Sequence, residues 1–214
     1  MQLRFNDMTI DRVDQHNFLG VLIDSKLNFK YHIQYICSKV SKAVEVLFKL
    51  SSYMPSEILK IIYHALVTPY FTYCITVWGC APQYLINKLL ILQKKLIRIV
   101  AGATYFAYIN PLFNSLRILK LKDIYELRSL IFIYKVFNCA SNFYVIEYIN
   151  SYQIPHRHDT RNSIVNLTKY RQSVIYRSIT LWNDLPIEIK SARSITVLKR
   201  LYSEIKLAKY INQN

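Results

Sequence analysis

The side chains able to do chemistry in this sequence fall into an acidic group, a histidine-containing run, four cysteines and a strongly basic middle. Asp7, Asp11, Asp14 and Asp24 crowd the first residues. Metal-dependent phosphoryl or nucleotidyl transfer needs two or more carboxylates converging on Mg²⁺. These four sit in polar, turn-like stretches with no acidic partner visible further on, which reads as solvated loop acids. His156, His158 and Asp159 lie close together, but no second cluster at ligand spacing accompanies them, as a metal centre would require. Cys37, Cys74, Cys80 and Cys139 show no C-x-x-C spacing. They read as reduced packing thiols, not nucleophiles or disulfide partners. With three glycines, far apart, there is no phosphate-cradling loop. These residues describe a binding body without a catalytic centre of its own.

The basic residues are more telling. The chain carries 28 Lys and Arg against 13 Asp and Glu, a formal net charge of +15. Proteins so charged commonly meet nucleic acid or an anionic membrane. Between Glu57 and Asp123 there is no acidic residue, while Lys60, Lys88, Lys94, Lys95, Arg98, Arg117, Lys120 and Lys122 fall inside that window. An ordinary soluble helix mixes signs; here the natural counter-charge is a phosphate backbone.

The elements that must position these cations are mostly helical. Hydrophobic residues make up 52% of the 214, and Gly and Pro are scarce, which disfavours both disorder and a turn-rich all-β fold. The spacing of Ile33, Ile36, Val40, Val44 and Leu47 predicts a helix from Phe29 to about Leu50 with Asn28 as its cap, and Lys39, Lys42 and Lys49 off the apolar stripe. Four later helices open on proline at their first turn: Pro55, Pro82, Pro111 after a capping Asn110, and Pro186. From Pro82 to Val100, Leu85, Leu89, Leu92, Leu96 and Ile99 form one stripe, and Lys88, Lys94, Lys95 and Arg98 fill an adjacent arc of about 120°. Asp123 to Asn138 is a further helix, and Ser194 caps the last one. Periodicity fades from residue 140 to 167, where HRHDTRN (156–162) reads as a basic surface loop.

Two stretches resist a helical surface reading. Phe18 to Ile23 is apolar on both alternating faces, which predicts a strand buried on both sides and raises the question of its neighbours. Ile61 to Asn87 has no formally charged side chain. His64, Thr68, Pro69, Thr72, Thr76 and Gln83 interrupt that run and its tyrosines are scattered along it, so it reads as a buried helix, not a membrane span. The N-terminus, with Arg4, Asp7 and Asp11, lacks the apolar core of a signal peptide.

An ordered series of motifs carries a resemblance: FLGVLIDSKLNFKYHI (18–33), ICSKVSKAVEVLFKL (36–50), LVTPYFTYCITVWG (66–79), LQKKLIRIV (92–100), NPLFNSLRILKLKDIYEL (110–127) and LWNDLP (181–186). Together they resemble the C-terminal, thumb and tail part of a jockey-type non-LTR retrotransposon reverse transcriptase, an RNA-directed DNA polymerase. In that family the FLGV strand follows the palm's catalytic aromatic-x-Asp-Asp turn, and the helices after it form the thumb that grips the template–primer duplex. No Asp-Asp pair occurs in these 214 residues, so none of the family's catalytic ligands carries over, and Mg²⁺ is expected only for the parent polymerase.

The resemblance implies a mainly α fold, a thumb-like bundle with a small N-terminal β remnant of the palm. Its divisions would be 1–28 (palm edge), 29–141 (thumb-like domain) and 142–214 (basic loop and closing helices). Lys88, Lys94, Lys95 and Arg98 would track duplex phosphates, supported by Lys39, Lys42 and Lys49. The partners would be an RNA and DNA duplex and the palm and fingers missing from this chain, with no membrane, in the nucleus or cytoplasm. Trp78–Gly79 and Trp182–Asn183 read as packing and turn features. A truncated relic, a membrane-associated helical protein and a co-opted interaction module are the alternatives.

Overall fold

The computed structural model describes residues 3–5, 8–10, 13–138 and 174–211. Asp7, Asp11, Cys139, the weakly periodic stretch and the HRHDTRN loop lie outside the described residues. Two antiparallel hairpins come first: β1 (Leu3–Phe5) with β2 (Met8–Ile10), then β3 (Gln15–Phe18) with β4 (Val21–Asp24).

The second hairpin corrects the expected single strand. Leu19 and Gly20 both take positive φ, 48° and 79°, and reverse the chain inside the apolar run. That backbone twist suits a two-residue hairpin. Phe18 and Leu19 are therefore exposed, Val21 is buried in the core, and β4 takes its neighbour from the residues just before it. The Tyr73 hydroxyl donates to the Leu19 carbonyl (2.5 Å), tying the hairpin tip to the helical body.

After β4, one Asp24 carboxylate oxygen accepts the backbone N–H groups of Lys26 and Asn28, both at 3.1 Å. The turn it organises delivers Phe29 in the left-handed region (φ 55°) as the residue preceding α1 (Lys30–Leu50). Asn28 is thus held by a cap-like carboxylate and is not itself the cap. The expected stripe of α1 is buried throughout, against α5 (Gln83–Val100).

The uncharged run from Ile61 to Asn87 is not one helix. It passes through the end of α2 (Ser56–Leu66), α3 (Thr68–Thr72), α4 (Ile75–Trp78) and the start of α5. Tyr73 is extended and Cys74 left-handed (φ 47°), which breaks the helical path, and Pro82 precedes α5. Among the described residues no helix is long and apolar enough to cross a membrane.

Pro55, Pro82 and Pro186 sit one residue ahead of their helices, while Pro111 lies inside the first turn of α6 (Ile109–Ser115). Tyr108, not Asn110, precedes α6; the Asn110 side chain instead accepts from Lys120 Nζ (2.8 Å). α7 (Leu121–Asn138) begins two residues before the expected Asp123, because the buried Gln93 side chain accepts the Leu121 N–H (2.9 Å). The remaining described helices are α8 (Val174–Asn183), α9 (Ile187–Lys190) and α10 (Ile195–Ile211). Ser194 Oγ accepts the Val197 N–H (3.3 Å), the cap expected from sequence.

One apolar core joins Val21, the α1 stripe, Leu59 and Tyr63 of α2, Phe71, Ile75, Trp78 and the α5 stripe, and is closed by Leu207 and Tyr210 of α10. A second joins Leu130, Ile131 and Tyr134 of α7 to Ile189, Leu198 and Tyr202. Trp78 is fully buried and its Nε1 donates to the Tyr73 carbonyl (2.8 Å). A Cβ on Gly79 would stand 2.4 Å from the Tyr125 ring. Trp182 packs beside Tyr134 and Phe137. Both tryptophans pack against neighbouring side chains, with Gly79 held close to Tyr125, while Asn183 is exposed, and the fold is mainly helical with a small β part.

Candidate nucleic-acid interface

The stripe of α5 explains why its cations face outward. Leu85, Leu89 and Leu96 are buried, with Leu92 and Ile99 half-buried beside them. Gln93 stands in the same stripe and is fully buried. Its side chain donates to the Leu119 carbonyl (3.0 Å) and the Tyr63 hydroxyl (3.2 Å), so every polar atom of the amide has a partner. With one face immobilised, Lys88, Lys94 and Lys95 are left exposed on the other.

The seven candidate cations do not share one surface. Lys88 lies at the α1 side of α5, close enough to Cys37 for its charge to oppose the effect of burial, which pushes that thiol up. Around α1, at about 100° per residue, Cys37 and Lys39 are about 160° apart. Lys39 is therefore on the opposite flank, with its ammonium 5.3 Å from the Tyr35 ring. Lys42 and Lys49 point away from the α1 core stripe and are exposed. Arg98 is half-buried: its guanidinium sits 5.7 Å from the Tyr105 ring and Nη2 reaches the Ala107 carbonyl at 3.5 Å.

Lys94 has company that sequence reasoning passed over. A cavity of about 360 Å³ is lined by Lys94, Lys120, Lys122, Lys206 and Lys209 together with Asp123 and Glu126. Lys206 of α10 bridges both carboxylates, to Asp123 Oδ1 at 2.9 Å and to Glu126 Oε2. The Tyr202 hydroxyl donates to Glu126 (2.7 Å) and the Tyr210 hydroxyl to Asp123. Burial pulls the Lys206 ammonium down, but its bonds to Glu126 and Asp123 prevail and raise it overall.

The other four lysines of the cavity form no ion pair among the described residues. Burial lowers Lys120, with Asp123 opposing that shift and Lys94 adding to it. The residual charge around the cavity is positive. Lys120 and Lys122 were visible inside the acid-free window; Lys206 and Lys209 lie more than 80 residues from it and carried no local signal.

Chemically, this is a basic surface suited to phosphate, carried on helices whose opposite faces are buried. The chain is similar to the RNA-directed DNA polymerase from mobile element jockey of Drosophila funebris, 26% identical over 122 residues, and to that of Drosophila melanogaster, 27% identical over 125. It is also similar to the probable RNA-directed DNA polymerase from transposon X-element of Drosophila melanogaster, 26% identical over 121 residues. Each match covers 55% of this chain and 13% of the relative. No family model and no solved structure matches the chain. By these matches the protein is related to the reverse transcriptases of non-LTR retrotransposons, as its motif series implied.

Proposed function

We propose that this chain is the thumb-like part of a mobile-element reverse transcriptase and holds the template–primer duplex by its phosphates. The observation that carries the reading is α5: Lys88, Lys94 and Lys95 are exposed on a helix whose other face is locked into the core, inside a stretch without acids. Lys94 continues onto the cluster of Lys120, Lys122 and Lys209, which widens the track a backbone could follow. Phosphate contacts of this kind fix position without reading sequence.

In the parent polymerase Mg²⁺ would be held by palm carboxylates. Asp123 and Glu126 do not fit that role, because Lys206 already bridges the two carboxylates and a tyrosine hydroxyl donates to each. What this chain's residues do is orient the duplex and neutralise its charge; palm and fingers would be supplied by further parts of the polymerase. In this reading the protein acts inside the cell.

The test is binding to a blunt RNA/DNA heteroduplex as a function of salt. If about four cations meet phosphate, the log–log slope is on the order of −3 to −4. The pair Lys94→Glu and Lys95→Glu should weaken binding and flatten the slope, while Lys199→Glu on α10 should do neither. Salt-independent binding, or an affinity untouched by the α5 pair, overturns the reading.

A further inference from the structure

The segment between α5 and α6 places three aromatic side chains in water. α5 ends where Ala103 N–H donates to the Arg98 carbonyl (3.0 Å) and Gly102 N–H to the Ile99 carbonyl (3.1 Å), with Gly102 at φ 62°. This paired-bond helix stop needs a left-handed residue, which glycine adopts without strain. A turn follows, closed by the Ala107 N–H on the Thr104 carbonyl (3.1 Å), so Tyr105 and Phe106 occupy its tip. Tyr105 is 80% exposed, Phe106 90% and Tyr108 84%.

A single exposed aromatic needs no explanation, but three within four residues concentrate exposed apolar surface on one short loop. The tip is also braced. Tyr105 and Phe106 meet edge to face at 5.4 Å, and Arg98 holds the root through the Tyr105 ring and the Ala107 carbonyl. Lys94 and Lys95 lie one turn before Arg98 on the same helix, and there is no carboxylate between Glu57 and Asp123 in sequence.

Flat rings beside cations, in a stretch of sequence without acids, match an unpaired nucleotide: the base stacks on a ring and its phosphate meets a cation. A protein partner would call for mixed charge. We infer that the tip formed by Tyr105, Phe106 and Tyr108 is a stacking platform for unpaired bases at the end of the duplex held by α5. The inference rests on the phosphate-binding reading of α5 and names what lies next to it.

The experiment compares the full chain binding a blunt heteroduplex with the same duplex carrying a single-stranded overhang that contains 2-aminopurine. The overhang should tighten binding at least about fivefold, the low end of one stacked base, and quench 2-aminopurine fluorescence. The triple variant Tyr105→Ala, Phe106→Ala and Tyr108→Ala should lose both effects and keep blunt-duplex affinity and its salt slope. Tyr105→Phe with Tyr108→Phe, which preserves the rings, should retain both.

An overhang advantage absent from the native chain, or surviving in the alanine triple, overturns the inference even where the blunt-duplex salt slope stands. Ring-dependent binding to anionic vesicles without overhang preference would overturn it in favour of a membrane contact. Failure of blunt-duplex binding itself strikes the reading of α5, a separately readable result.

Discussion

Replacing Lys206 by methionine should destabilise the fold by about 3 kcal/mol, which is the cost of stranding charge, not of losing a surface ion pair. Exposed pairs contribute about 0–1 kcal/mol, whereas removing one partner of a buried pair costs about 3–5 kcal/mol. The side chains of Asp123 and Glu126 are only 10% and 15% exposed, which places them in the second regime. Lys206 itself is 22% exposed, and Tyr202 and Tyr210 would still donate to the two acids, so the lower end applies. Methionine keeps most of the stem's apolar volume, which limits any cavity term.

For a domain of this size, about 3 kcal/mol corresponds to a fall in Tm of roughly 6–12 °C. Urea unfolding followed by circular dichroism measures it directly. The neutralised triple, Lys206→Met with Asp123→Asn and Glu126→Gln, should recover most of the loss, since uncharged isosteres leave nothing stranded. A single-variant cost below about 1 kcal/mol, or a triple no more stable than the single, would refute the reasoning.

Gly79→Ala should destabilise by about 1–3 kcal/mol or more, because the new Cβ would stand 2.4 Å from the Tyr125 ring and 2.5 Å from the Ile75 carbonyl, and the second of these is backbone; thermal melts check it. Burial pushes the Tyr63 hydroxyl from the ordinary value near 10 up to about 12, with its Gln93 hydrogen bond opposing. The stability this represents is complete below pH 10 and lost as pH rises toward 12. Tyr63→Phe should therefore cost about 1 kcal/mol near neutrality, for the lost hydrogen bond, and close that gap in urea titrations as pH climbs past 10. Arg117 holds φ 52° at the end of α6, where Ile118 N–H reaches the Phe113 carbonyl (3.0 Å); Arg117→Gly should gain about 0.5–1 kcal/mol in the same assay.

What could be read from the sequence was whatever recurs within one element. The apolar stripes of α1 and α5 and the cap at Ser194 depend on residues three or four apart, and each stands where the spacing placed it. The hairpin at Leu19–Gly20 was hidden because its turn residues belong to an apolar run, and leucine at positive φ is a choice no local pattern announces. The expected helix through residues 61–87 failed for a similar reason: left-handed Cys74 breaks it, and cysteine is not a residue type that announces positive φ. Asn28 and Asn110 have good capping chemistry, but the turn that Asp24 organises through the Asn28 backbone N–H starts the helix one residue later, after Phe29, and Lys120 bonds the Asn110 side chain. Gln93 could have been noticed as a polar residue in an apolar stripe; its three partners could not.

The cation cluster illustrates the same limit and carries a functional consequence. Asp123 and Glu126 close the acid-free window in sequence, so a linear charge count suggests that they cancel Lys120 and Lys122 beside them. The fold assigns them to Lys206, which arrives from α10. Lys94, Lys122 and Lys209 are consequently left without an ion-pair partner among the described residues, and the closing helix that completes the core also supports the positive field beside α5. In the proposed reading, stability and phosphate affinity are thereby coupled through one ammonium. If the proposed reading holds, Lys206→Met should weaken heteroduplex binding even below its melting range, because two carboxylates without their ammonium would then face the lysines around the cavity. The neutral triple should restore binding along with stability, and a triple that folds normally but binds as poorly as the single would break that link.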